Sequence, residues 1–282
     1  MDGNRRYAKK HQIQRIVGHT RGYQTLLEVL KWCNELDVKV ATVYAFALDN
    51  FKRSRNEVDS LMELATRKFT EMLDSEKTIS QYGVRVQVLG ALDRLPTKLQ
   101  HVMARVMQST RGHTKLTLNI AFAYSARHEV EQAAESIRRG VREGDLKAED
   151  AQSGLLERCL YTSGLPEPDL LIRTSGETRL SDFLVSQCRR GTYLSFVEAL
   201  WPELSFWNFF GVVFAYQRHH ASLLHDRRCM AEIESRTDVE SIYDKSPMEK
   251  RTKRFMEKRK QERERYIDSL AVQFKTTRFS SR

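Results

Sequence analysis

The chain has 282 residues, 40% of them hydrophobic, which is enough for one large domain, or a domain with an extension, built on a substantial core. A net charge of +10 and a pI of about 9.5 suit nucleic acid, anionic lipid or a phosphorylated substrate without choosing among them. No apolar run approaches the roughly 20 residues that span a bilayer. No signal peptide is visible, and Cys33, Cys159, Cys188 and Cys229 are scattered in a way that argues against a disulfide framework or a zinc site.

The chain opens at once on Met1-Asp2-Gly3-Asn4-Arg5-Arg6-Tyr7, with no strand before it. From about Thr20 to Leu36, apolar residues recur at helical spacing. Val38 to Phe46 is β-branched and aromatic and reads as a strand. The polar patch Asp49 to Arg55 precedes a long helix with Val58, Leu61, Met62, Phe69 and Met72 on its apolar positions. Val84 to Leu89 is a second strand, Pro96 opens the next helix, and Lys115 to Tyr124 is a third strand followed by a helix that Ser125 caps and that runs to about Gly140.

Leu170, Leu171 and Ile172 form a short apolar run typical of a buried strand, and then the character changes abruptly to Arg173-Thr-Ser-Gly-Glu-Thr-Arg-Leu-Ser181. Ser181 and Asp182 sit where the N-cap of a further helix is expected. A strand that delivers arginines, hydroxyls and a glycine to a helix N-terminus is suited to holding an anion. The plainer alternative is a polar loop whose arginines pair with Glu177 and Asp182. A short strand ends near Phe196, Trp201-Pro202-Glu203 makes a turn, and an aromatic helix spans Phe206 to Tyr216.

Strands alternating with helices imply an α/β fold with an open, mostly parallel sheet flanked by helices. Ligands bind such sheets beyond the carboxyl ends of the strands. Asp2 to Arg6, Asp49 to Arg53 and Arg173 to Ser181 all follow strands or expected strand positions, which points to one site. After about residue 225 the composition shifts, dividing the chain into a domain over 1–225 and a charged, basic, mostly helical extension over 226–282. Its Lys-, Arg- and Glu-rich stretch from Glu249 to Arg265 reads first as a solvated helix and second as a contact for an anionic membrane.

Asp2 beside arginines is an ordinary ion pair in most proteins. A diphosphate, however, calls for a hard cation and positive side chains together, and Mg²⁺ is commonly held by one or two carboxylates plus phosphate oxygens. Asp2 with Arg6 and Arg15 supplies that set. Neither G-x-x-x-x-G-K-[ST] nor G-x-G-x-x-G occurs, so nucleotide versions of the site are disfavoured. His19, in Gly-His-Thr-Arg-Gly, has the spacing either to donate to a phosphate or to cap the following helix.

The segments at residues 1 to 8, Gly18-His19, Tyr44-Ala45-Phe46 with Asp49-Asn50-Phe51, and Arg173 to Ser181 together resemble the cis-prenyltransferase family, in order, over roughly residues 1 to 225. The stretch Leu171 to Phe183 looks closer to the eukaryotic dehydrodolichyl type than to the bacterial one. The resemblance implies an Mg²⁺-dependent enzyme that condenses isopentenyl diphosphate onto farnesyl diphosphate, making a long polyprenyl diphosphate for dolichol and protein glycosylation. It implies that Asp2 holds Mg²⁺ and the allylic diphosphate with Gly3, Asn4, Arg5, Arg6 and Arg15. Arg173, Glu177, Arg179 and Ser181 would serve the diphosphate of isopentenyl diphosphate. His19 and Asn50 would lie near the reacting centre, with Arg53 and Glu57 in support. The helices from Val58 to Met72 and Leu95 to Met107 would line a product tunnel or simply form core.

Three departures from the family pattern carry expectations of their own. The apolar strand that normally precedes Asp-Gly-Asn is missing, which suggests a missing start and poor stability. Ala47 stands where serine is common. The tail reads Arg278-Phe279-Ser280 instead of ending in Arg-x-Gly, so an accessory Nogo-B-receptor-like subunit is expected to bring that motif. The expected home is the cytosolic face of the endoplasmic reticulum membrane, with peripheral contact. A non-catalytic or degenerate subunit of the same complex is the alternative. A nucleic-acid-binding protein is disfavoured, because basic residues occur without interleaved aromatics.

Overall fold

The computed structural model describes residues 1–74, 83–238 and 246–272. The tail residues Arg278, Phe279 and Ser280 lie outside them. The chain divides into two compact units, one of Met1–Leu26 and Ala126–Phe255, the other of Leu27–Ser125 and Met256–Arg282.

The second unit is built on a parallel sheet in the order β1-β3-β2, from β1 (Val40–Ala47), β2 (Val84–Leu89) and β3 (Leu116–Tyr124). The central strand β3 is an almost unbroken apolar run, as a parallel strand covered on both faces must be. Its one buried amide, Asn119, donates to Thr42 Oγ1 at 3.1 Å. A bulge at Tyr44–Ala47 ends β1 and leads into a 3-10 turn over Leu48–Lys52.

Helices α3 (Arg55–Asp74) and α4 (Thr97–Ser109) supply the rest of this core through Met62, Phe69, Leu99 and Met103. Pro96 is the N-cap of α4. The two helices thus meet the core half of their expectation: their apolar rows are spent on packing. A cleft of about 300 Å³ beside them has a lining of mixed character, with Leu73 and Val102 beside Thr70, Asp74, Arg105 and Gln108.

The first unit holds α1 (Asn4–Lys10), the start of α2 (Arg15–Glu35), α5 (Ala126–Arg142) and α6 (Ser153–Arg158). It also holds a parallel two-stranded sheet of β4 (Leu170–Thr174) and β5 (Tyr193–Val197), followed by α7 (Phe206–Asp238). The α/β class and parallel pairing expected from the sequence are therefore present, as two sheets with one in each unit.

Four expectations change. Helix α2 begins at Arg15, five residues before Thr20, and Gly18 and Gly22 within it are packing positions. A Cβ on Gly18 would lie 2.5 Å from the Asn4 carbonyl oxygen, and one on Gly22 would lie 2.2 Å from Asn4 Oδ1. Only glycine lets α1 approach so closely. No helix follows Ser181: residues 181–191 are turns, since Ser181, Asp182 and Leu184 all take left-handed backbone angles. Helix α7 continues well past Tyr216, so residue 225 falls inside it.

The fourth change concerns the charged extension. It folds as α8 (Ser246–Val272), which is not simply solvated. Within the first unit, Phe255 is buried against α5, and a Cβ on Gly140 would sit 2.6 Å from its ring. Within the second unit, Ile267, Leu270 and Ala271 join the core, and Arg111 pairs with Asp268 at 2.7 Å.

Helix α8 is also tied down electrostatically. Asp150, whose side chain is fully buried, accepts from Arg251 Nη2 at 2.7 Å and Nε at 2.9 Å, and from the Lys147 N–H at 2.8 Å. The Arg251 hydrogen bonds hold the Asp150 carboxyl below its ordinary value of 3.8, against burial, with help from the Lys147 N–H. A carboxyl depressed in the folded state stabilises the fold above its ordinary value, and that stability is lost as the pH falls through the lowered one. Unfolding by urea at a series of pH values should therefore show wild type more stable than Asp150→Asn at neutral pH. The difference should shrink toward zero in acid.

Candidate active site

The site is built where β4 ends. Parallel pairing brings Thr174 opposite Val197, so both strands of this sheet finish together, and the loops beyond them bring sequence candidates beside Asp2. Asp2 is stitched to that end by its main chain. Its carbonyl accepts from Ser175 Oγ at 2.7 Å, from the Trp201 N–H at 3.0 Å and from Thr174 Oγ1 at 3.2 Å. The Trp201 indole in turn donates to the Gly22 carbonyl at 2.7 Å, locking α2 to the same corner.

The Asp2 carboxylate faces a cluster of arginines. Arg173 Nη2 donates to Oδ2 at 2.9 Å, Arg6 Nη2 lies 3.6 Å away, and the Gly3 N–H donates to Oδ1 at 2.7 Å. Burial pushes the Asp2 carboxyl up. The Arg173 hydrogen bond, the Gly3 N–H and the charges of Arg173 and Arg6 outweigh that, and the group stays below the usual carboxylate range. It is ionised at neutral pH.

Arg6 also donates to the Ser175 carbonyl at 2.9 Å and pairs with Glu177 at 3.1 Å. Glu177 pairs with Arg179 as well, and Arg173 Nη1 closes the loop by donating to the Arg179 carbonyl at 3.0 Å. The plainer reading of this stretch, a polar loop with ion-paired arginines, holds for Glu177. The arginines are ion-paired, with Asp2 and Glu177 as their carboxylate partners, and the Glu198 carboxylate lies beside Gly176 of the same loop. Asp182 pairs with none of these arginines and caps α5 instead. The anion site thus lacks the helix N-terminus expected after Ser181.

Asn4 is partly buried, and its Oδ1 is a buried acceptor with no hydrogen-bond partner, as is the donor Arg173 Nε. Such groups are uncommon in a finished core and common where a ligand completes the bonding. Arg5 is exposed on α1, Arg15 is the exposed first residue of α2, and His19 is half-buried within α2 and so not at its cap. Ser181 is exposed and left-handed.

The remaining sequence candidates belong to the second unit. Asn50 Oδ1 accepts the Ala47 N–H at 3.0 Å and shapes the turn after β1, and Arg53 pairs with Glu57 at 3.0 Å. Thr174, Ser175 and Trp201, the groups that clamp Asp2, were not singled out from the sequence. Their signal lay in hydroxyls directly following the apolar strand and in a tryptophan at the turn.

Among the described residues no three His, Cys, Asp or Glu side chains gather as a metal site. A divalent cation here fits only as Mg²⁺ usually does, on one carboxylate together with phosphate oxygens and water. Asp2 suits that role, because its side chain is 38% exposed and it is the carboxylate at the centre of the cluster.

The sequence model of the family described as putative undecaprenyl diphosphate synthase matches residues 1–223. The dehydrodolichyl diphosphate synthase complex subunit of Homo sapiens is 45% identical over 240 residues, covering 85% of this chain and 72% of that protein. A tritrans,polycis-undecaprenyl-diphosphate synthase (geranylgeranyl-diphosphate specific) of Pyrococcus horikoshii is 41% identical over 218 residues, covering 77% of this chain and 82% of that one. The crystal structure of lavandulyl diphosphate synthase from Lavandula x intermedia in complex with dimethylallyl diphosphate superposes with a TM-score of 0.72 at 28% identity, over 77% of this chain and 92% of that one.

Gly3 tests the geometry directly. It is buried at φ +101°, and a Cβ there would lie 2.3 Å from Ser175 Oγ, in the middle of the clamp on Asp2. Gly3→Ala should cost about 2 kcal/mol in urea unfolding, from backbone strain and the lost Ser175 bond, with helix content unchanged by circular dichroism.

Proposed function

Because this chain belongs to the cis-prenyltransferase family of prenyl diphosphate synthases, we propose that it condenses isopentenyl diphosphate units onto an allylic primer, farnesyl diphosphate, in an Mg²⁺-dependent reaction. The product is a long polyprenyl diphosphate of the dehydrodolichyl type, serving dolichol synthesis and protein glycosylation. The observation that carries this reading is the ionised Asp2 carboxylate held among Arg173, Arg6 and the first turn of α1.

The chemistry explains why such a cluster is needed. The allylic C–O bond breaks as diphosphate leaves, so the site must stabilise negative charge developing on the leaving group. Asp2 would hold Mg²⁺, which supplies a Lewis acid for the diphosphate oxygens. Arg6, Arg15 and the N–H groups around Gly3 and Asn4 would bind that diphosphate. Arg173, Arg179 and Ser181 would take the diphosphate of isopentenyl diphosphate, placing its double bond for attack; a proton is then lost from its C2. Binding both diphosphates side by side makes the attack effectively unimolecular. The roles given to His19, Asn50, Arg53 and Glu57 rest on the sequence match.

The human relative carries the words "complex subunit" in its name. That supports a heteromer in which a Nogo-B-receptor-like subunit completes the site. Among the described residues no helix is long and apolar enough to cross a membrane. A peripheral position on the cytosolic face of the endoplasmic reticulum follows from a product that must pass into lipid.

The test is incorporation of labelled isopentenyl diphosphate into butanol-extractable product, given farnesyl diphosphate and Mg²⁺, for the chain alone and with the accessory subunit. Incorporation should require the partner and should fall by about 10²-fold or more in Asp2→Ala. Undiminished incorporation by Asp2→Ala would refute the assignment.

A further inference from the structure

The segment that carries Arg173 to Ser181 is held in an unusual backbone state. Ser175 (φ 80°), Gly176 (66°), Ser181 (49°), Asp182 (59°) and Leu184 (48°) are all left-handed. Glycine takes that region at no steric cost, whereas other residues persist there only when the surroundings hold them. At the near end the holding contacts are those around Asp2, together with the Ser175 N–H donating to the Ala199 carbonyl at 2.9 Å.

At the far end the hold comes from α5. The Asp182 carbonyl accepts the Ala126 N–H at 2.9 Å, and its two carboxylate oxygens each accept the Arg127 N–H at 3.3 Å. These N–H groups open α5 and have no partner within their own helix. A carboxylate is also favoured there by the helix dipole. One turn along α5, the buried Glu129 accepts from Gln187 Nε2 at 3.0 Å and from the Tyr161 N–H at 2.7 Å. Gln187 Nε2 also donates to Thr162 Oγ1 at 3.1 Å. The first turns of α5 therefore grip the chain just beyond Ser181 at two points.

Between these two ends, the Arg173 to Arg179 loop is closed internally by the hydrogen bond from Arg173 to the Arg179 carbonyl and by the Glu177–Arg179 ion pair. Arg173 is fixed in β4, but Arg179 and Ser181 have no strand or helix of their own. Besides the contacts of Arg179 with Arg173 and Glu177, the chain here is next held at the residues that follow, Asp182 and Gln187, where α5 grips it.

We propose that Asp182 is a positioning residue: by clasping the N-terminus of α5, it fixes Arg179 and Ser181 for the diphosphate of isopentenyl diphosphate. This rests on the proposed function, which gives those two residues that ligand. Asp182 acts through its neighbours and does not touch the substrate. The allylic diphosphate is assigned to Asp2 and α1, so loosening the far end should weaken one substrate and spare the other.

Steady-state kinetics of the full chain with its partner subunit provide the test, each diphosphate being varied with the other saturating. Asp182→Ala should raise KM for isopentenyl diphosphate about tenfold, the scale expected for a small misplacement of binding groups. KM for farnesyl diphosphate should stay within about twofold. Asp182→Asn keeps an acceptor and tolerates the left-handed angle, so it should restore most of the loss. Gln187→Met releases the second grip without altering residue 182 and should shift the same KM, less strongly; it stands in if Asp182→Ala does not fold.

Arg179→Ala separates the two ideas. An unchanged KM for isopentenyl diphosphate in that variant would overturn the site assignment itself. A raised KM there, with Asp182→Ala and Gln187→Met leaving it unchanged or moving both substrates equally, would overturn the positioning role alone.

Discussion

The first unit depends on the way Asp2 is held. Its carbonyl takes three hydrogen bonds, from Thr174 at the end of β4, from Ser175 just past it and from the Trp201 N–H in the turn after β5, while its carboxylate is paired to Arg173 in β4. The residue thus behaves as part of the sheet's carboxyl edge, although 171 positions separate it from Arg173. Helix α1 comes immediately after it and is pressed against α2 through Gly18 and Gly22. Loss of any one of these contacts would move the carboxylate relative to the arginines.

Such a cluster is poorly justified as a stability device. Partly exposed ion pairs contribute little, and buried acceptors and donors without partners, as at Asn4 and Arg173, are a cost. The diphosphate and divalent cation of the proposed function would resolve both. Phosphate oxygens would replace the carboxylates as partners of the arginines, and the cation would become the partner of Asp2. On this account, the ion pairs among Asp2, Arg6, Arg173, Glu177 and Arg179 are the resting form of a site whose groups exchange partners when substrate arrives.

Much of this was legible in the sequence, for definite reasons. Val84 to Leu89 was readable as a strand because β-branched residues alternate with Arg85 and Gln87, and Leu170 onward because three consecutive apolar residues suit a covered parallel strand. The arginine-rich loop was readable because its character changes so sharply after Ile172. What was not legible depended on distant partners. The packing role of Gly18 and Gly22 shows only once α1 is seen against them. Asp182 was recognised as capping chemistry, but the helix N–H it accepts, that of Arg127, lies 55 residues earlier. Helix α8 looked solvated because only Thr252, Phe255, Ile267, Leu270 and Ala271 are buried along its 27 residues, scattered among charges. Asn50 shows the converse case, a motif residue whose visible contact is a local turn.

The central claim is that Asp2 and the arginines bind a diphosphate jointly with a divalent cation. It is tested most directly by calorimetric titration of the chain with inorganic pyrophosphate, with and without Mg²⁺, in wild type and Asp2→Asn. The account predicts that Mg²⁺ tightens pyrophosphate binding in wild type by about tenfold or more, and that this coupling disappears in Asp2→Asn while some metal-independent binding to the arginines remains. The same Mg²⁺ enhancement in both proteins would contradict it.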